Sequence, residues 1–321
     1  MSNYAAIDMI YGPPMDVLSR CMRGFFIPKQ GCKLVVGDFT NVEGRGVAWF
    51  SGEDWKIKAF QAADMKTGPG IYELAYAKSF DVPVESVKNP SFERQVGKVM
   101  ELAFGYQGGV GAFTTMGETL GVKVGALQAN SFKEAWRSAH PRVVGTWKTL
   151  EKAAIAAVRA PEQVFEAGYP GRQAKFKVAG SFLWCLLPSG RAICYPYPKL
   201  LPGHYGDQLT YMARIGQGDK VGIVADPKNS SNWARVSTYG GSLMENVVQG
   251  FCRDLLVDCV LIPFHNFVVM HVHDEGVLEI PEKKAEQTRQ DLERSMRTPP
   301  PWAAGFPLWA DVSVMGRYGK G

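Results

Sequence analysis

The sequence predicts an α+β chain, and three observations carry that expectation. Short apolar runs at Lys33–Phe39 (KLVVGDF) and Phe267–Ile280 (FVVMHVHDEGVLEI) read as strands. From Val42 to about Ala160, apolar residues recur mostly at helical spacing. Around Phe182–Leu187 the pattern switches to alternation, which predicts a hairpin. At 321 residues, 46% hydrophobic and 21% charged, the composition is that of a globular protein and excludes collagen-like, disordered and disulfide-scaffold readings. One large domain or two ordinary ones fit that length.

Local signals place each element. The first strand is entered through Lys29-Gln30-Gly31 and leaves Asp38 at its exit. Helical periodicity covers Val42–Ala63 and, after the loop Lys66–Gly70 (KTGPG), Ile71–Phe80. Asn89-Pro90 predicts the next helix start, with Asn as N-cap and Pro at the first helical position. That helix is expected to run to about Gln107, where Gly108-Gly109 stops it. Further helices are expected within Ser131–Ala160. A hairpin turning at Pro188-Ser189-Gly190-Arg191 precedes loops rich in Pro, Gly, Asp and Ser. Leu243–Leu261 is again helical and carries Glu245, Gln249, Arg253 and Asp254. Within Phe267–Ile280, two apolar runs flank His273-Asp274-Glu275, which puts the acidic residues at a hairpin tip. Pro281–Arg297 is more than half charged and reads as a solvated helix.

Charge and cysteine usage exclude more than they assign. With 36 Lys and Arg against 31 Asp and Glu, the net charge of +5 is compatible with a polyanionic partner without demonstrating one. Six cysteines form no CxxC pair, and no His stands at zinc-finger spacing from them, so reduced thiols are expected. The start, MSNYAAIDMIYGPPMD, lacks the basic and apolar regions of a secretion signal. The longest uncharged stretches are too short or too interrupted to span a bilayer. No membrane partner and a cytoplasmic location are therefore expected.

Asp38 and Asp274 lie far apart in sequence, yet neighbouring strands of one sheet can bring both to a single edge. Two carboxylates without a nearby His or Cys suit Mg²⁺ better than zinc; taken singly, an Asp is more often a turn former or cap than a ligand. On the helix after Pro90, Arg94, Lys98, Leu102 and Tyr106 fall at steps of four, a drift of only about 40° per step. Such a stripe can hold a triphosphate and a base. The same spacing also describes a solvated basic face with Leu102 and Tyr106 in the core.

In order, these elements resemble the family A DNA polymerases of the bacterial DNA polymerase I and bacteriophage type, over most of the chain. The family's motif A is matched by Asp38–Arg45 (DFTNVEGR), motif B by Arg94, Lys98 and Tyr106 in RQVGKVMELAFGY, and motif C by His273-Asp274-Glu275. Tyr239–Leu256 (YGGSLMENVVQGFCRDLL) resembles the palm helix before motif C, with Gln249 at the minor-groove position. LPSGR, ending at Arg191, resembles the family's Gly-Arg hairpin, and Pro307-Leu308-Trp309 its last strand.

The resemblance implies a polymerase palm (an antiparallel sheet with packed helices) and mostly helical fingers. Residues 1–53 become the N-terminal palm, 54–200 the fingers, 201–238 a loop-rich connection and 239–321 the C-terminal palm. It implies template-directed transfer of dNTPs to a primer 3′-hydroxyl, with two Mg²⁺ ions held by Asp38, Asp274 and the Phe39 carbonyl. Arg94 and Lys98 are expected to bind the triphosphate, and Lys98 also to protonate the leaving pyrophosphate. Glu43, beside Asn41, is expected to be the gate against a 2′-hydroxyl, and Tyr106 to stack at the templating position. Primer–template DNA is expected at Arg191, Gln249, His273 and Glu275. Three positions depart from the pattern. Leu102 replaces the aromatic residue that packs on the sugar, Tyr72 stands where a phosphate-binding His is usual, and Gln107 replaces a Gly. Motif A begins only 38 residues in, so thumb and exonuclease domains are expected to be absent, with a separate polypeptide expected to supply the thumb, and the exonuclease if the enzyme has one. Two other readings stand beside this one: a non-catalytic DNA-binding or assembly subunit that kept the fold, and a relative of single-subunit RNA polymerases, against which Glu43 speaks.

Overall fold

A computed structural model describes residues 3–203, 206–214 and 233–319. Helices α1 (Asn3–Tyr11) and α2 (Pro14–Cys21) lead to strand β1 (Cys32–Phe39). Then come helices α3 (Val42–Ser51), α4 (Asp54–Asp64), α5 (Ile71–Phe80), α6 (Phe92–Phe104), α7 (Val110–Thr119), α8 (Ala126–Ala139) and α9 (Pro141–Arg159). Strands β2 (Phe165–Ala167), β3 (Ala174–Ala179), β4 (Phe182–Leu186), β5 (Ala192–Pro196), β6 (Lys199–Gly203), β7 (Gly206–Arg214) and β8 (Trp233–Ser237) follow. Helix α10 (Gly240–Leu256), the hairpin β9 (Val268–Val272) and β10 (Glu275–Pro281), helix α11 (Ala285–Arg297) and strand β11 (Ala310–Met315) complete the order. None of the helices among the described residues is long and apolar enough to cross a membrane.

The chain forms two compact units. One comprises Met1–Thr40, Leu255–Pro300 and Leu308–Gly321, the other Asn41–Asp254 and Pro301–Pro307. These seams differ from those of the four segments expected from the sequence: α3 and nearly all of α10 belong to the second unit.

The first unit is built on a four-stranded antiparallel sheet in the order β11-β1-β10-β9. Side chains alternate across a strand, so β1 has two faces. Leu34 and Val36 pack with Val277 and Tyr318 on one of them. On the other, Gly37 meets α11: a Cβ there would run into Met296 Sδ and lie 3.1 Å from Leu292 Cδ2, so glycine lets the helix close on the strand without moving these side chains. Here the structure corrects the expectation of a solvated helix over Pro281–Arg297. The charged residues do form a ladder, Glu286–Arg289–Glu293–Arg297, with Glu286 exposed and the other three half-buried. The sparse apolar residues Ala285, Leu292 and Met296 are all buried, and three of them at helical spacing suffice to fix one face.

Among the described residues, helices α3 to α9, nearly all of α10 and two small sheets make up the second unit, with α9 lying against β2 and β3. The expected single helix over Val42–Ala63 is broken at Gly52-Glu53 because Glu53 has another task. Its carboxylate accepts the amides of Arg142 (3.0 Å) and Val143 (3.3 Å), capping the N-terminus of α9. Helix α6 begins later than expected. The Asn89–Pro90 peptide is cis, and the cap is Ser91, whose hydroxyl accepts the Arg94 amide at 3.1 Å. Strands β6, β7 and β8 pair as a sheet where loops were expected, and residues 204–205 and 215–232 of that stretch lie outside the described residues. The pairing joins residues whose surroundings are rich in turn formers, which hid the short alternation from local reading.

A buried polar cluster centres on Glu101 of α6. Its carboxylate pairs with the Lys56 ammonium from α4 and accepts the Trp136 indole N–H at 2.9 Å. His140, wholly buried and stacked on Trp136, faces it at 3.2 Å. Burial alone would raise the Glu101 pKa, but Lys56 and His140 outweigh it and hold the group at about 2. Burial lowers that of His140.

Removing the carboxylate strands a buried ammonium, so Glu101→Gln should cost about 3–5 kcal/mol in urea unfolding at neutral pH. The folded pKa lies below the ordinary 4.5, so the Glu101 contribution is whole above that pH and is lost as pH falls towards 2. The variant should lack this component of acid destabilisation, read as the difference in urea midpoint between pH 6 and about pH 3.

Candidate functional site

In the first unit, antiparallel pairing decides where the acidic residues go. Asp38 is opposite Glu275 on β10 and Asp311 on β11, so three carboxylate-bearing residues lie abreast on one sheet face. Asp274 occupies the turn before Glu275, and its carbonyl accepts the Phe39 amide at 3.4 Å. The two aspartates singled out from sequence therefore sit at the same end of adjacent strands, both half-buried, with the Phe39 peptide between them. Two carboxylates and a backbone carbonyl such as that of Phe39 would make an all-oxygen set of the kind Mg²⁺ takes, since it binds few protein ligands and keeps water or substrate oxygens for the rest. Among the described residues no group of three or more His, Cys, Asp or Glu is placed to hold a metal ion.

The other members of this triplet separate. His273 is exposed at the turn, whereas Glu275 opens β10 directly after it and is buried. Tyr318 donates its hydroxyl to the Glu275 carboxylate, and burial together with that carboxylate pushes the phenol up to about 12. Arg23 and Phe26 flank the Tyr318 ring, at 5.3 and 6.2 Å. Sequence reading missed Asp311 and Tyr318, since no local spacing ties them to Asp38.

In the second unit, α6 presents two of the four expected stripe residues together. Arg94 and Lys98 lie one turn apart, and the Tyr72 ring of α5 serves both, 5.5 Å from the guanidinium carbon and 6.0 Å from the ammonium. Gly97 makes this possible: a Cβ would stand 2.2 Å from the Tyr72 carbonyl oxygen, so only glycine lets the two helices approach this closely. Leu102 is exposed, not in the core. Tyr106 is corrected: α6 ends at Phe104, so Tyr106 lies beyond the helix and off the stripe. Its hydroxyl donates to Glu43 Oε2 at 2.8 Å, and burial with the Glu43 charge raises its pKa well above the ordinary value, leaving it a neutral donor. Glu43 itself is exposed in the first turn of α3, after Asn41 in left-handed conformation. Arg45, two residues on, is buried and forks onto Asp64 with both terminal nitrogens at 2.7 Å, bracing α3 to α4.

Gln107 follows Tyr106 and accepts the Gly241 amide at 2.8 Å, tying this loop to the start of α10. On α10, Gln249 is exposed and Glu245 half-buried, its pKa raised by burial and by the Glu43 charge. Arg191 is held against the same helix. Its Nε donates to Asp254 Oδ1 and an Nη to the Gly250 carbonyl, both at 2.5 Å, while Ser189 donates to the other Asp254 oxygen. Asp254 thus clamps the β4–β5 turn beside Gln249.

No protein-family model matches the chain. It is 39% identical to a DNA polymerase of Bacillus phage SP02 over 99% of its own length and 46% of that protein's. The chain thus spans about half the length of the curated relative it matches. Its fold matches the solved POL domain of Pol1 from M. smegmatis, in complex with DNA primer-template and dNTP. That match has a TM-score of 0.56 and 15% identity, and covers 93% of this chain and 42% of the other.

Replacing the clamp carboxylate by Asp254→Ala should free Arg191 and Ser189 together, at a cost of about 1–3 kcal/mol. Amide hydrogen exchange should accelerate at residues 187–192 and stay unchanged in β1 and β10.

Proposed function

We propose that this chain, 39% identical over its length to a phage DNA polymerase, belongs with the family A DNA polymerases and is the template-directed polymerase itself. It joins a deoxynucleoside triphosphate to a primer 3′-hydroxyl and releases pyrophosphate. The observation that carries this reading is the strand register that sets Asp38 and Asp274 at one end of two paired strands with the Phe39 peptide between them. A purely structural or DNA-holding subunit has no use for that pair.

Asp38, Asp274 and the Phe39 carbonyl hold two Mg²⁺ ions, which when bound supply charge stabilisation to the attacking 3′-oxygen and the leaving pyrophosphate. Arg94 grips phosphate oxygens and Lys98 adds a point charge. Lys98 also gives its proton to the departing pyrophosphate. Beside the sugar, the exposed Glu43 carboxylate crowds a 2′-hydroxyl, and the Tyr106 hydroxyl fixes its position. Tyr106 stacks on the templating base, Leu102 lies along the sugar, and Tyr72 takes over the phosphate contact that a His makes elsewhere in the family. Gln249, Arg191 and His273 reach primer–template DNA, and Glu275 acts through Tyr318 to hold the β9–β10 turn. The enzyme works in the cytoplasm, that of the bacterial host if a phage encodes it.

Primer extension with Mg²⁺ and dNTPs, with and without the product of a neighbouring gene, tests the reading. Asp38→Ala and Asp274→Ala should each abolish incorporation; activity equal to the wild type in Asp274→Ala would overturn it. Glu43→Ala should raise ribonucleotide incorporation relative to deoxynucleotide by about tenfold or more. DNA binding with no incorporation, even with the partner present, would favour the non-catalytic subunit instead.

A further inference from the structure

Two arginine–carboxylate pairs in the second unit are built differently. Arg45 spends both terminal nitrogens on Asp64 and is buried, as a brace should be. Arg94 gives only its Nε, at 2.7 Å, to Glu73 Oε1. Among the described residues its two Nη groups make no hydrogen bond, and about a fifth of the side chain stays open to solvent (22%). Glu73 is buried in the first turn of α5, and its second oxygen has no hydrogen-bond partner among the described residues. Next to it in sequence, Tyr72 lays its ring under both Arg94 and Lys98.

We propose that Glu73 is a positioning residue for triphosphate recognition: it holds Arg94 by the Nε edge and so presets the Nη fork for the phosphate oxygens of a nucleoside triphosphate. This rests on reading α6 as the nucleotide-binding helix. A planar guanidinium has a rigid fork, so fixing one edge orients the other. A long flexible side chain held in place before the ligand arrives loses less freedom on binding. Glu73 touches no substrate; its effect passes through Arg94. The Tyr72 face limits the remaining rotation, and the Gly97 contact keeps α5 and α6 close enough for both restraints to act.

The test compares wild type, Glu73→Ala, Glu73→Gln, Arg94→Ala and the Glu73→Ala/Arg94→Ala double variant on the full chain. Affinity for dATP with Ca²⁺ in place of Mg²⁺ is measured by calorimetry, and KM and kcat by primer extension. Glu73→Ala should weaken dATP binding and raise KM by about tenfold with kcat nearly unchanged. Glu73→Gln keeps an oxygen acceptor for Nε and should recover most of the loss. In the Arg94→Ala background, Glu73→Ala should have no further effect. Wild-type affinity in Glu73→Ala, no recovery in Glu73→Gln, or an equal loss with and without Arg94 would each overturn the positioning role. A wild type that binds no dATP, or that binds it equally well in Arg94→Ala, would instead overturn the nucleotide-site reading and the proposal with it. Thermal melts accompany each variant, and Glu73→Gln keeps the comparison readable if the alanine variant fails to fold.

Discussion

The register of one buried strand underlies the first unit. β1 is flanked on both sides, and a slip of one residue in either pairing would turn its whole side-chain set to the opposite face. Leu34 and Val36 would leave Val277 and Tyr318, Gly37 would no longer meet Met296, and Asp38 would leave the face it shares with Glu275 and Asp311. Packing and chemistry are specified by the same hydrogen-bond ladder. The apolar half of the strand makes any other register costly, and the acidic end inherits its position from that constraint.

Helix α6 solves a comparable problem with different means. It carries Glu101, a buried carboxylate balanced by Lys56 and by a donor from Trp136. Arg94 stands two turns earlier on nearly the same line of the helix, and Lys98 one turn earlier beside it. The ion pair deep in the unit, together with the close approach at Gly97, fixes α6 against α4 and α5. The buried pair is therefore better understood as a device for orientation than for net stability, because desolvation cancels much of its attraction.

How much was legible from the chain alone differs by residue. Asp38 at a strand exit, the β9–β10 hairpin, the Arg94–Lys98 step and the α10 helix could be read because each depends on spacing within a single element. Tyr106 was misplaced since the run FGYQGG offers two glycine stops, Gly105 and Gly108-Gly109, and the helix ends at the first. Ser91 was passed over in favour of Asn89-Pro90, which carries an equally good local signal. Glu275 looked like a tip residue until its partner, Tyr318, came from 43 positions further on. The strands β6 to β8 lay in turn-rich sequence whose pairing is visible only once the strands meet.

Sequence by itself determined which residues can do chemistry and on which kind of element they ride. Periodicity and side-chain type are local properties, written within a few turns or one strand. Tertiary structure alone decided which of those residues share a face, which are spent on bracing and which are left open. Arg45 and Arg94 are the same side chain, each on a helix that also carries the expected Glu or Lys. One is buried in a two-nitrogen fork on Asp64 and the other is held by a single edge on Glu73. That difference comes from where α4 and α5 return to meet α3 and α6, and long-range closure of this kind leaves no trace in local spacing.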